Sequence, residues 1–382
     1  MKHAKLLFLP SMFVSVLIVL LTSAGVVQAA PAAWQIVPSS SPGSLGSLNG
    51  VSVLSTTDAW AVGNYLSKSG QAKTLTERWD GTRFKVVSSP SVPQTPNNLF
   101  SVAAVSSNDV WAVGNTGSIS GTQTLAEHWN GTRWQLASTV NLGLYNYLYG
   151  VAAVSSNDVW AVGRWDTQDE VVSTLIEHWD GRSWQVVASP NVTGYNYLNA
   201  VAVVSANDIW AVGIYDTNRK NGAAIAQTLI EHWNGSSWQI VPSPNVKNIS
   251  NTLSSIAVVS ASDIWAVGNL YNPTNGKGHP MSLHWNGSQW QRVITPNPSA
   301  GGSLYGVAAV SATNVWAVGT DPITKTLIEN WNGTRWKVVA SPNGADYNSL
   351  NAVATLPSGF ALAVGGDGTF SGAGHTLAEV YG

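Results

Sequence analysis

The sequence predicts an all-β fold assembled from a repeated four-stranded antiparallel unit, and three observations carry that expectation. Short apolar runs rich in Val, Ile and Trp alternate with turn-forming residues along nearly the whole chain, a length and composition that suit strands rather than helices. The run Trp-Ala-Val-Gly recurs at Trp60, Trp111, Trp160, Trp210, Trp265 and Trp316, with a degenerate seventh copy at Leu362-Ala363-Val364-Gly365. The two ends of the chain hold complementary parts of one unit. Repeats of this length, each a four-stranded sheet, point to a seven-bladed β-propeller.

The copy from Leu148 to Asn191 shows the elements in order. Strand A is Leu148 to Val154 and strand B is Val159 to Gly163, joined by the turn Ser155 to Asp158. The Asp side chain of that turn can accept bonds from nearby backbone N–H groups. Strand C is Thr174 to Trp179 and strand D is Trp184 to Val187, joined through Asp180-Gly181, a hairpin signal because Gly tolerates positive φ. The strand-C aromatic recurs at Trp79, Trp129, Trp179, Trp233, Trp285, Trp331 and Tyr381. The strand-D aromatic recurs at Trp34, Phe84, Trp134, Trp184, Trp238, Trp290 and Trp336. The seventh copy has strands A, B and C but no D, whereas the chain carries an orphan strand D at Trp34 to Val37. The expectation is that this N-terminal strand completes the last blade and closes the ring.

Residues 1–29 read as a signal peptide. Lys2 and Lys5 form a positive start, Leu6 to Leu21 an apolar core, and Val27-Gln28-Ala29 an exit of small residues. An uncleaved anchor is the rival reading. Residues 30–382 are then one propeller domain, and the expected location is outside the cell. The chain has no Cys, which excludes disulfides and thiolate metal sites. Removing Lys2 and Lys5 from 18 basic residues leaves 16 against 20 acidic ones, a formal charge of −4. With no basic excess, neither nucleic acid nor an anionic membrane is an expected partner after signal cleavage.

Most chemically capable side chains belong to the repeat. Of 19 Trp, only Trp165 stands outside the three repeat positions. Glu77, Glu127, Glu177, Glu231, Glu329 and Glu379 share one strand-C position. His128, His178, His232 and His284 sit beside it, and Asp58, Asp109, Asp158, Asp208 and Asp263 sit in A–B turns. Equivalent residues on separate blades cannot converge on one metal or substrate, so the expectation is the same local hydrogen bonds in every blade, with no metal and no cofactor. Outside the pattern remain Asp166, Asp169, Glu170, Asp216, Asp321, Asp346, Asp367, His279 and His375. Two of these carboxylates could serve a hydrolase, but their spacing selects no pair. The Asn-x-Ser/Thr matches such as Asn130-Gly131-Thr132 read as hairpin turns before glycan acceptors.

The period, the four strands and the paired aromatics Trp179 and Trp184 make residues 34–382 resemble kelch-type blades and the propeller of galactose-oxidase-like proteins. The unit is also similar to repeats of secreted bacterial proteins with no assigned role. It departs from kelch in having a lone Gly after strand B, as at Gly163, with a doublet only at Gly365-Gly366. The copper-radical site of galactose oxidase needs a Cys and is not implied. Sialidase-type propellers use an axial Arg cluster, whereas Arg83, Arg133, Arg182 and Arg335 fall in C–D turns.

Strand direction defines two faces. A–B and C–D turns share face Y and are nearly identical between copies. B–C and D–A loops share face X and vary from six residues (Thr320 to Lys325) to fourteen (Ile214 to Gln227). Variation on a constant scaffold is the signature of a binding face. Tyr145, Tyr147, Trp165 and Asp166 in the third copy gather there, with Tyr195, Tyr197, Tyr215 and Asp216 in the fourth. Exposed aromatics beside carboxylates suit stacking on sugar rings and bonding to hydroxyls. The first reading is therefore a monomeric secreted binding module for a glycan or an extracellular protein, with no catalysis required. The alternatives are a secreted carbohydrate-active enzyme (a glycoside hydrolase or lyase using loop carboxylates) and a structural cell-surface protein.

Overall fold

The computed structural model describes residues 32–167, 171–216, 225–296, 301–369, 372 and 374–382. Among them are 28 strands in six sheets. Five sheets have four strands. The sixth has eight, because two meanders share a single parallel bridge between Tyr145 and Thr122. Within each meander strands A, B, C and D pair antiparallel in that order, so the A–B and C–D turns fall at one end and the B–C and D–A joints at the other.

The sheet of the seventh unit is completed from the far end of the sequence. Strand β1 (Gln35–Ile36) pairs antiparallel with β28 (Gly374–Tyr381), Gln35 facing Val380 and Ile36 facing Glu379. Val37 continues the ladder, its N–H donating to the Ala378 carbonyl at 2.9 Å. The segment after β1 then crosses to the first unit, where the Ser39 hydroxyl reaches Glu77 at 2.8 Å while also reaching Thr376 of β28 at 2.7 Å.

Strands A and B run further toward face X than their apolar runs suggest. In the third unit strand A is Tyr145–Ser155 and strand B is Asp158–Asp166. Tyr145 pairs with Asp166, Asn146 with Trp165 and Tyr147 with Arg164. The fourth unit repeats this, Tyr195 facing Asp216 and Asn196 facing Tyr215. These residues, expected in loops, are ladder residues. A polar and aromatic alternation at the rim was read as loop because it lacks the apolar run, yet alternation is what a half-buried strand requires.

One local device explains the Gly of Trp-Ala-Val-Gly. Strand A bulges between Leu148 and Gly150, and the bend drives the Tyr147 carbonyl against strand B. A Cβ on Gly163 would lie 1.9 Å from that oxygen. The same bulge and the same close approach recur in the other units, for example at Gly213 and Gly268, so the position admits no side chain.

Seven apolar clusters each join consecutive units. Trp160 of the third unit packs against Trp233 and Trp238 of the fourth, with centroids 5.1 and 5.6 Å apart. Trp34 performs this role beside Trp316, edge-on at 5.3 Å. One of the seven, with Leu48, Trp79, Phe84, Leu362 and Val364, joins the last unit to the first. Burying an aromatic of this size contributes about 3–5 kcal/mol, which is why each unit needs its neighbour.

Candidate functional site

The repeated polar side chains resolve into two structural systems. The first lies within a unit. His178 Nε2 is 2.8 Å from Asp158 Oδ1, and its ring stacks on Trp160 at 4.2 Å. The same pair forms between His128 and Asp109, His232 and Asp208, and His284 and Asp263. In the first unit Arg78 replaces the His and grips Asp58 with two nitrogens at 2.8 and 3.0 Å. The second system differs from expectation, because the strand-C glutamates bond across units rather than within them. Ser189 donates to Glu231 at 2.7 Å, Ser341 to Glu379 at 3.0 Å, and the Val140 N–H to Glu177 at 3.2 Å. Glu127 faces the Thr74 and Ser89 hydroxyls, although neither of its oxygens closes a well-formed hydrogen bond.

All six glutamates are fully buried. Burial pushes Glu77 and Glu379 up to about 7 and Glu127, Glu177, Glu231 and Glu329 up to about 8, since desolvation penalises the ionised form. Carboxyls with such values often mark catalytic sites. Here no substrate could reach them, and burial in the seams between units favours their protonated form.

What breaks the repeat lies on the axis. Strand A of all seven units walls one cavity of about 170 Å³. The bulged residue of each strand lines it: Asn49, Phe100, Tyr149, Asn199, Ser254, Tyr305 and Asn351. Three of these asparagines make one repeated contact. Asn49 donates to the Leu99 carbonyl at 2.9 Å, Asn199 to Leu253 at 2.7 Å and Asn351 to Leu48 at 2.9 Å. Phe100 and Tyr149 instead pack ring to ring at 5.5 Å.

Toward face X a second tier stands beside the first. The Tyr147 ring stacks on Tyr149, 13° from parallel at 5.7 Å. The Arg164 guanidinium lies over Tyr147 at 4.8 Å and over Tyr197 of the next unit at 5.8 Å. Asp166 approaches Arg164 at 3.5 Å. Burial pushes the Tyr149 hydroxyl up to about 12, so it remains a proton donor at any ordinary pH.

The structure therefore divides the eight sequence-derived candidates. Tyr147, Tyr197 and Asp166 converge beside the axis. Tyr145 is tied to the preceding unit by its hydroxyl, which donates to the Ile119 carbonyl at 2.7 Å. Tyr195 is half-buried in strand A. Trp165 is no free platform: it packs against the cluster around Trp111 and Trp184, on the opposite side of the strand from Arg164. Tyr215 likewise packs against the cluster of the following seam, its hydroxyl 2.5 Å from Gln227, and Asp216 is buried. Asp169 and Glu170 lie outside the described residues. Of the other loop carboxylates, Asp321 caps its own turn through the Ile323 and Lys325 N–H groups, and Asp367 sits 3.5 Å from His375.

Arg164, Tyr149 and Tyr305 were missed. Tyr149 and Tyr305 follow the strand-A Leu at a position that no periodic pattern marks, and Arg164 stands after strand B beside Trp165, apart from the arginines of the C–D turns. Comparing that position across the copies (Asn, Phe, Tyr, Asn, Ser, Tyr, Asn) would have exposed its variability. Among the described residues no three His, Asp or Glu side chains group to hold a metal. The Asn-Gly turns are structural: Asn130 Oδ1 accepts from the N–H groups of Thr132 and Arg133 and from the Thr132 hydroxyl, as Asp80 does in the first unit.

No family model and no curated protein matches the sequence. Solved structures do match in shape. YCF48 from Cyanidioschyzon merolae is 15% identical over 91% of this chain and 98% of its own, with a TM-score of 0.55. An ulvan lyase of polysaccharide lyase family PL25 is 8% identical over 91% of this chain and 96% of its own, with a TM-score of 0.60. The GH74 xyloglucanase from Xanthomonas campestris is 14% identical over 91% of this chain and 55% of its own, with a TM-score of 0.55. The fold is an all-β propeller. At these identities the likeness extends to the fold alone, and the kelch-type and galactose-oxidase-like resemblance rests on the sequence pattern.

Proposed function

We propose that the chain is a secreted, closed seven-bladed propeller that acts as a binding module, taking its ligand at the axial mouth on face X. The ring reading is supported by the pairing of β1 with β28 and by the apolar cluster joining the last unit to the first. The parallel bridge that merges two meanders into one sheet is a single residue pair, too little to make them one blade. Export is supported by the signal-like residues 1–29. The mass of the exported protein should correspond to a start near residue 30, whereas a retained Met1 would favour the anchor.

The observation that carries the binding reading is the departure from the repeat at Tyr147, Tyr149, Arg164 and Tyr197. The seams repeat from unit to unit because they hold the fold. Residues that depart from the repeat and crowd one end of the axis suit recognition. Propellers of this shape include one solved with a bound peptide, YCF48 with a D1 peptide, and carbohydrate-active enzymes. The test is a panel of polysaccharides, glycans and extracellular proteins offered to residues 30–382, repeated with Tyr197→Ala. The expected result is a ligand bound by wild type and lost on Tyr197→Ala at unchanged melting temperature. A ligand that binds both proteins equally moves the site elsewhere. Turnover of a polysaccharide would replace the binding reading with the enzymatic one.

A further inference from the structure

We infer that the axial cavity receives the terminal residue of an uncharged glycan. This rests on the axial-mouth reading above and adds the chemistry of the ligand. Three observations lead to it. The first is size. At about 30 Å³ per water, a cavity of about 170 Å³ replaces about five or six waters with one compact group, the scale of a single sugar ring rather than a chain threaded through.

The second observation is charge. Arg164 is the cation of this mouth, and it is already committed. Asp166 neutralises it at 3.5 Å, two Tyr faces sandwich it, and its Nε is buried against them. An anionic ligand would have to displace Asp166, and a cationic one would meet Arg164. The compensated pair leaves an uncharged ligand as the favoured guest.

The third observation is the inner tier itself. Where a unit has Asn at the bulge, its amide occupies the Leu carbonyl of the next unit. Phe100, Tyr149 and Tyr305 have no amide to offer and bring rings to the cavity instead. The polar side chains that line it, Asn49, Asn199, Ser254 and Asn351 among them, supply acceptors and donors for a ligand's hydroxyls. The Tyr149 hydroxyl, held protonated, is a donor, and the partly exposed Tyr305 ring offers a face to C–H bonds. Acceptors, donors and an aromatic face around a small uncharged space match a pyranose, which presents hydroxyls at its edge and C–H groups on its faces.

The test is calorimetric titration of residues 30–382 with cellohexaose, xylohexaose and laminarihexaose, and with hexagalacturonate as the acidic comparison. Each titration is repeated on Ser254→Trp and Tyr305→Ala. Ser254→Trp fills the cavity from a wall where the native side chain is small, and Tyr305→Ala removes a partly exposed ring, so at least one of the two should fold as wild type by circular dichroism. The expected result is binding of a neutral hexasaccharide that weakens roughly tenfold or more in the folded variants while Trp165→Ala binds as wild type. Neutral binding untouched by both variants overturns the axial site and leaves a binding module that works elsewhere on face X. Binding of hexagalacturonate alone, or of none of the four, overturns the uncharged-glycan inference. In that case the wider panel of the preceding section still decides whether the chain is a binding module.

Discussion

Two seams of the propeller hold neighbouring units together by different means. Between the fifth and sixth units Trp265 is fully buried, with Trp331 and Trp336 at 4.8 and 5.3 Å and His284 stacked on it at 4.3 Å. Between the last unit and the first, Leu362 stands where the other copies have Trp and Phe84 replaces the strand-D Trp. No stacked His is present there, since Val380 occupies its place opposite Leu362. The deficit in aromatic area is offset by polar stitches: Ser39 to Glu77 and to Thr376, and Asn351 to the Leu48 carbonyl and the Ser47 hydroxyl. The same kinds of polar bond recur at other interior seams, as at Asn199 to Leu253 and Ser189 to Glu231, so the contrast lies in the aromatic area. Where the two units are distant in the sequence, directional bonds also specify which edges meet.

Removing residues through Val37 attacks the closing seam most directly. It takes away Trp34, worth about 3–5 kcal/mol, and bares the edge of β28. The truncated protein should melt well below wild type and aggregate on heating. Equal melting curves and equal light scattering would mean that β1 does not close the ring.

Single core substitutions compare the two seams quantitatively. Trp265→Ala should cost about 3–5 kcal/mol and Leu362→Ala about 2–3 kcal/mol. Urea unfolding of the two variants checks the order. If Leu362→Ala proved the more damaging, the closing seam would depend on apolar packing more than its composition suggests.

The buried glutamates give both seams a pH dependence of unusual sign. Their folded-state values are raised to about 7 or 8 from an ordinary 4.5. The folded protein therefore binds more protons than the unfolded chain between those limits. Their contribution is fully present below about pH 4.5 and is lost as pH rises toward 8. Stability should fall across that window instead of peaking near neutrality. Glu329, raised by burial alone, should show this more strongly than Glu77, which has the Ser39 donor. Glu329→Gln should flatten the slope by about 1.4 kcal/mol per pH unit, and Glu77→Gln by less over the upper part of the range. Melting temperatures from pH 4.5 to 8.5 measure it, and a flat wild-type profile would contradict the neutral-acid seam.

The smallest effect is expected at the rim. Trp165 is half-buried against the seam between the second and third units, so Trp165→Ala should cost about 1–2 kcal/mol, more than a free loop residue and less than Trp160. A loss as large as that of Trp160→Ala would place Trp165 in the core proper.

Much of this was legible before any coordinates. Trp60 to Trp316 at strand B, the aromatics of strands C and D, and the orphan strand at Trp34 declared a four-stranded repeat and the pairing of its first strand with its last, because seam packing selects the same residue types at the same spacing in each copy. The rim was less legible. Tyr145, Trp165 and Tyr215 looked like exposed loop aromatics, yet the ladder continues through them and turns Trp165 and Tyr215 into seams. Direction along a strand alternates residue by residue, and near a bulge the alternation shifts, so composition alone could not say which ring faces the axis and which faces a neighbour.

The division between sequence and tertiary structure follows the range of the interactions. The sequence by itself determined the unit: the order of its four strands, the turn chemistry of Asp180-Gly181, the Gly that a bulged neighbour requires, and the complementary ends. Each depends on residues near in the chain or on a pattern repeated along it. Only the tertiary structure decided that strand-C glutamates such as Glu231 and Glu379 bond to the preceding unit, that Arg164 lies between tyrosines of two units, and that Phe100, Tyr149 and Tyr305 share one cavity with residues some 50 to 250 positions away. Those arrangements depend on how neighbouring copies pack against one another, and no single copy carries that information.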